Sequence, residues 1–205
     1  MKKILPAQAF RKLAHLYTEM HDLYQRHAGA LGLTCDGCTQ NCCTSYFQHH
    51  TYIEWAYLVH GLATLPEETR TLYMHKAHDY VRQTTEDLAS GQRPARMCPL
   101  NNEGRCGLYQ YRLMICRLHG VPNRLRYPNG RVADFPGCYR TQKLCAGQPD
   151  ISVLDRTSLY TRLMELEIQF VGPSRIRNLP RVDLTLAEMI VQGAPLRPAG
   201  DCHAS

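Results

Sequence analysis

From Leu5 to about Gly29 the apolar side chains recur at Phe10, Leu13, Leu16, Tyr17, Met20, Leu23, Tyr24 and His27. Arg11, Lys12, Thr18, Glu19, Gln25 and Arg26 fill the opposite face. Steps of three and four predict an amphipathic helix that packs on a core. Gly29 and Gly32 release the chain from it. Thr51-Tyr52-Ile53-Glu54 has the form of a capping box and starts a second helix, Tyr52 to about Ala63, which carries Trp55. Glu54 reads as part of that cap rather than as a catalytic carboxylate. Thr64-Leu65-Pro66-Glu67 opens a third helix that runs to Ser90-Gly91. Its apolar stripe (Leu72, His75 or Lys76, Asp79 or Tyr80, Gln83, Asp87 or Leu88) is thin, so an exposed helix is expected.

The pattern changes in the middle of the chain. Met97 to Leu108 reads as a hairpin around Asn101-Asn102-Glu103-Gly104. A three-residue loop would leave Cys98 and Cys106 on one face, and a two- or four-residue loop would separate them. Shared ligation by these two thiols therefore predicts the odd loop. Tyr109 to Leu118 is a short helix bearing Cys116, stopped by Gly120 and Pro122. Arg124 to Phe135 is a second hairpin, turning at Pro128-Asn129-Gly130-Arg131. Phe135-Pro136-Gly137-Cys138 is a turn that presents another thiol. Helices from about Ser152 to Phe170 and from about Asp183 to Val191 follow, and residues 193–205 read as a loose tail. No repeat or composition break appears. The expected fold is mainly α with small β-hairpins (α+β), a single domain over residues 1–192.

Ten cysteines in 205 residues change the picture. Cys35, Cys38, Cys42 and Cys43 fall within nine residues, and Cys98, Cys106, Cys116 and Cys138 each sit in a turn, hairpin or short helix. Cys35-x-x-Cys38, with Gly37 between, is the spacing of a metal knuckle: the backbone turns so both sulfurs face one ion, and the following N–H groups donate to them. Cys42 and Cys43 are adjacent, and in extended chain they point to opposite sides. Two neighbouring centres, or one polynuclear centre, accommodate both. The spacing does not choose how the eight thiols divide. Together they define a metal-binding centre over residues 33–138. Cys145 and Cys202 read as ordinary buried small hydrophobes. His49, His50 and His119 flank the thiols and read as surface or supporting groups rather than ligands. Arg112 and Arg117 read as counter-charges to a thiolate cluster.

Met1-Lys2-Lys3 has no apolar run behind it, and no window has the length of a membrane span. A cytoplasmic protein is expected, where thiols stay reduced and serve metal rather than disulfides. The formal charge of +6 suggests nucleic acid. Eight bound thiolates offset by two divalent centres would bring it to about +2, and Lys and Arg are scattered, so a nucleic-acid partner is not expected. There is no glycine-rich dinucleotide loop, no Walker lysine and no Gly-x-Ser-x-Gly elbow.

Cys35-x2-Cys38-x3-Cys42-Cys43, Cys98-Pro99-Leu100, Gly104-Arg105-Cys106-Gly107-Leu108-Tyr109 and Arg112-x3-Cys116-Arg117 resemble the YkgJ family of cysteine-cluster proteins. The resemblance runs from about Leu33 to Cys138. It implies chelation of zinc or iron, and some relatives are described as iron–sulfur oxidoreductases. Flagellin lysine methylases are similar in the cysteine region, but no residue here would hold a methyl donor. Leu113 stands where the family has proline, which bears on the start of the short helix and not on Cys116.

All-thiolate ligation suits both zinc and iron–sulfur. Cys98-Pro99 is similar to the cysteine–proline step of ferredoxins, and the ligands are spread wider than in a compact zinc ribbon. The expectation is an iron–sulfur cluster of the 4Fe-4S type, in electron transfer or beside an oxidoreductase partner. Two alternatives stand beside it. One is a Zn2+-stabilised interaction module without catalysis; the other is a metal-dependent enzyme that modifies a protein side chain.

Overall fold

The computed structural model describes residues 2–34, 42–148 and 151–195. Seven α-helices and two small sheets occur among them. Helix α1 (Pro6–Ala30) starts with proline at its first position, where the missing N–H costs nothing. Ala9, Leu13, Leu16, Tyr17, Met20 and Ala28 form its buried face. That face lies along α6 (Thr157–Val171), which buries Leu159, Leu163, Leu166 and Phe170. Removing each such leucine from water contributes roughly 1.5–3 kcal/mol. Ahead of α1, the Ile4 N–H donates to Gln169 O at 2.9 Å and ties the first residues to the end of α6.

Helix α2 (Tyr52–Ala63) has the bounds expected from sequence and is covered nearly all round, with Ile53 and Leu58 at 0% exposure. Its N-terminus is not closed by the expected capping box. The Thr51 hydroxyl donates to Glu54 Oε2 at 2.9 Å, but the Tyr52 and Ile53 N–H groups donate to the Glu167 carboxylate of α6 at 2.9 and 2.8 Å. A distant acid caps this helix, which frees Glu54 for other partners.

Helix α3 (Glu67–Ala89) also departs from the expected stripe. Its buried face is Tyr73, Ala77, Tyr80, Thr84 and Asp87, against α7 (Leu186–Gln192), whereas Leu72 and Leu88 are half exposed. Tyrosines with small and polar side chains serve this contact; Tyr80 and Asp87 of the expected stripe are buried in it, and the two leucines are not. Helix α7 carries a complete capping box, Thr185 with Glu188. Trp55 Nε1 donates to Met189 O at 3.0 Å and joins α7 to α2.

In the first hairpin β1 (Asn101–Asn102) pairs with β2 (Arg105–Cys106), Asn101 opposite Cys106 and Asn102 opposite Arg105. The loop is therefore two residues, Glu103 at φ 49° and Gly104 at φ 84°, and not the expected three. Helix α4 (Met114–Leu118) follows a 3-10 turn at Tyr109–Tyr111. The second hairpin is present as β3 (Asn123–Arg126) and β4 (Val132–Phe135). Two further elements carry no clear local signal in the sequence: helix α5 (Tyr139–Cys145), and strand β5 (Leu154–Asp155), which adds parallel to β3. Strand β5 occupies residues expected to open the long helix, so α6 starts at Thr157. The last residues of the expected tail, 196–205, lie outside the described residues. Among the described residues no helix is long and apolar enough to cross a membrane.

Candidate metal centre

Four separate pieces of chain bring four thiols to one cavity. Cys43 lies in a 3-10 turn, Cys42–Thr44, whose Cys43 carbonyl accepts the Cys98 N–H at 2.8 Å. Cys98 begins a turn closed by Asn101 N–H to Cys98 O at 3.0 Å. It therefore stands outside the β1–β2 ladder, and loop parity does not govern where its sulfur points. That explains how Cys98 and Cys106 line the same cavity despite the two-residue loop. Cys106 ends β2, and the Gly107 N–H donates to Leu100 O at 2.8 Å. Cys116 sits at the centre of α4.

Two buried ties orient α4. Glu54 Oε1 accepts both the Tyr17 hydroxyl at 2.7 Å and the Met114 N–H at 2.6 Å. On the other side, Arg112 donates to Cys116 O. Arg117 donates through Nε to Arg112 O at 2.6 Å and through a terminal nitrogen to Gln110 O at 2.7 Å. Its guanidinium lies 4.1 Å over the Tyr17 ring. Arg117 thus braces the backbone of the 3-10 turn, and its charge also acts to lower the Cys106 thiol.

The cavity has a volume of about 60 Å3. Cys43, Cys98, Cys106 and Cys116 line it together with Ser45, Phe47, His49, Tyr80, Leu100, Arg112, Leu186 and Ala187. Burial pushes the Cys116 thiol up to about 12, against the Arg112 guanidinium, with the Cys106 and Cys43 sulfurs pushing it further up. Burial raises Cys98 further, and Cys116 adds to it. Cys106 is also raised by burial. Two backbone donors oppose this: the Leu100 N–H to the Cys98 sulfur and the Leu108 N–H to the Cys106 sulfur. Each comes from the second residue after its cysteine, the arrangement that offsets thiolate charge in a knuckle. Without a cation these thiols hold their protons at neutral pH. A bound cation reverses that balance and makes them ligands.

The donor chemistry fits a soft metal. Among the described residues, no three His, Cys, Asp or Glu side chains converge tightly enough to hold an ion by themselves. Cys35, Cys38 and the side chain of Cys42 lie outside the described residues.

Cys138 is placed elsewhere. It is the N-cap residue of α5, its N–H donates to Gly120 O at 3.3 Å, and its sulfur is 3.5 Å from Thr141 Oγ1. It is not among the residues lining the cavity. Cys145 is buried at the end of α5, as an ordinary small hydrophobe would be.

The histidines separate into two kinds. His50 is exposed and bonds Asp183 at 2.8 Å. His119 is half-buried beside Ser45 (3.2 Å) and against the Phe47 ring, and loss of solvent pulls it down to about 4. His49 is 2% exposed and burial pulls it down to about 3, so both rings are neutral at physiological pH. The sequence marks His49 as flanking the thiols, in a surface or supporting role, and it is the buried one; that Tyr80 and the α7 wall reach the cavity has no local signal, because tertiary packing brings them there. The chain matches no family model, no curated protein and no solved structure.

Proposed function

We propose that this protein binds metal through a cysteine cluster, and that the bound group is an iron–sulfur centre serving electron transfer or an oxidoreductase partner. The observation that supports it is the meeting of Cys43, Cys98, Cys106 and Cys116 at one buried cavity, two of them receiving backbone N–H groups on sulfur. Cys35, Cys38 and Cys42 precede Cys43 directly in sequence and complete the proposed donor set. The spacing that resembles the YkgJ family supports the same reading. When bound, an iron–sulfur centre supplies one-electron chemistry. The chain's own part is to hold it by thiolate, to counter its charge through Arg112, and to keep water out with Phe47, Tyr80, Leu100 and Leu186.

Zinc in a structural role is the second reading. The turn-borne thiols Cys98 and Cys106, each with its N–H donor, suit a closed four-thiolate zinc site equally well. Anaerobic purification followed by an absorption spectrum and metal analysis separates the two. Brown protein with a broad band in the visible blue, together with iron and acid-labile sulfide, supports the first. Colourless protein with stoichiometric zinc replaces it with the second. Protein that takes up neither metal sinks both.

A further inference from the structure

His49 is fixed by its backbone. Its N–H donates to Leu184 O at 2.7 Å and its carbonyl accepts the Leu184 N–H at 3.2 Å, an antiparallel bridge between the chain leaving the cysteine stretch and the chain entering α7. Neighbouring side chains in such a bridge point to opposite sides. His50 accordingly goes outward to Asp183, while His49 lines the thiol cavity. Among the described residues, Nδ1 of His49 is buried with no hydrogen-bond partner. A buried polar nitrogen orphaned in this way destabilises the fold unless something satisfies it. A trapped water would need two or more further polar partners, and most of the cavity wall is apolar side chain and sulfur.

We infer that His49 is a positioning residue of the metal centre, its Nδ1–H donating a hydrogen bond to a metal-bound sulfur in the cavity. The inference rests on the proposed cysteine cluster and names the contact that completes it. A neutral imidazole carries one N–H and brings no charge of its own to the contact. An N–H donor to a thiolate or sulfide sulfur withdraws electron density from the metal and fixes the sulfur's direction. The same bond leaves His49 out of the first ligand shell, in keeping with ligation by thiols alone.

Loading the full chain with 113Cd2+ as the probe, with 15N-labelled histidine, tests this directly. The expected result is that His49 keeps a proton on Nδ1, that this proton shifts on loading, and that Nδ1 shows no one-bond coupling to cadmium. Direct coupling would make His49 a ligand and overturn the inference. An Nδ1 resonance that cadmium loading leaves unmoved would overturn it too, in favour of a water or an unfilled contact. Failure of the wild-type chain to take up cadmium overturns this inference and the cysteine cluster together. Uptake with an unmoved His49 overturns the inference alone.

A second measurement does not depend on the probe's spectrum. His49→Leu keeps the backbone bridge and removes the orphan, so the metal-free variant should melt at or above the wild-type temperature. Its cadmium affinity by chelator competition should fall by about 10- to 100-fold. A residue that only fills space would give lower stability and unchanged affinity, and that pair of results refutes the assignment.

Discussion

The carboxylate of Glu54 accepts the backbone N–H of Met114 at 2.6 Å, across a separation of 60 residues. Through this bond the central helix α2 holds the start of the five-residue helix that carries Cys116. So short a helix has little stability of its own. Glu54 also receives the Tyr17 and Thr51 hydroxyls and is 4% exposed.

Replacing it should therefore cost more than a surface carboxylate would. Glu54→Ala leaves the Tyr17 hydroxyl and the Met114 N–H buried without an acceptor, and should destabilise the fold by about 3 kcal/mol or more. Glu54→Gln keeps one oxygen and should lose about half of that. Urea denaturation checks both, and an alanine variant as stable as wild type would refute the bracing role.

Glu167 supplies a pH signature. Burial pushes its carboxyl up to about 7 although the Tyr52 and Ile53 N–H groups oppose the shift. The ordinary value is 4.5, so folding takes up a proton between about 4.5 and 7. The stability it contributes is complete below about 4.5 and is lost as pH rises through about 7, on the order of 3 kcal/mol across that window. His49 and His119 slope the other way, since their folded values lie below 6.5 and their contribution is lost as pH falls. The difference between wild type and Glu167→Gln isolates the carboxyl. The wild type should lose stability relative to the variant from pH 5 to 7, and parallel curves would contradict the shift.

The two Thr-x-x-Glu segments show how far local sequence can be read. Thr51 to Glu54 and Thr185 to Glu188 have the same form, yet only the second closes on itself. At Thr51 the Glu167 carboxylate reaches the free N–H groups first, and nothing within ten residues of Thr51 announces that. The bounds of α2 were legible because the signals at both its ends are local. Strand β5 was not, because two residues become a strand only when β3 offers them an edge. Thiol chemistry and spacing place Cys43, Cys98, Cys106, Cys116 and Cys138 together; the first four line one cavity and Cys138 does not. The hairpin geometry did not follow from them, since the parity argument put Cys98 in a strand that begins three residues later.

Cysteine substitutions should sort by position around the cavity. Cys106→Ser and Cys98→Ser should each lower the metal bound per chain and lower the melting temperature of the loaded protein. Cys145→Ser, in the buried end of α5, should leave metal content unchanged. Cys138→Ser should keep whatever the cavity holds. Metal analysis after anaerobic preparation reads all four, and full loading of both the Cys98 and Cys106 variants would contradict the donor set.

Gly61 is a packing constraint beside the site. A Cβ there would stand 2.3 Å from Cγ of Tyr111, the root of the ring and not its free end. Gly61→Ala should cost about 1–3 kcal/mol and push Tyr111 off its place next to Arg112. Gly29, with nothing within 4 Å of a built Cβ, offers the contrast in α1. Gly29→Ala should be neutral or stabilising by up to about 1 kcal/mol. Equal melting of the two variants would refute the contact.

The wall that α7 contributes has a consequence for timing. During synthesis Cys43, Cys98, Cys106 and Cys116 leave the ribosome well before Leu186 and Ala187, so the sulfurs meet the cell uncovered. Loading is open to any carrier or oxidant in that interval. Trp55 and His49 then fasten the α7 segment, and Leu186 and Ala187 become one wall of the cavity. If the proposed metal is bound there, opening of that α7 latch adds a step to its release, beyond the breaking of the sulfur bonds themselves.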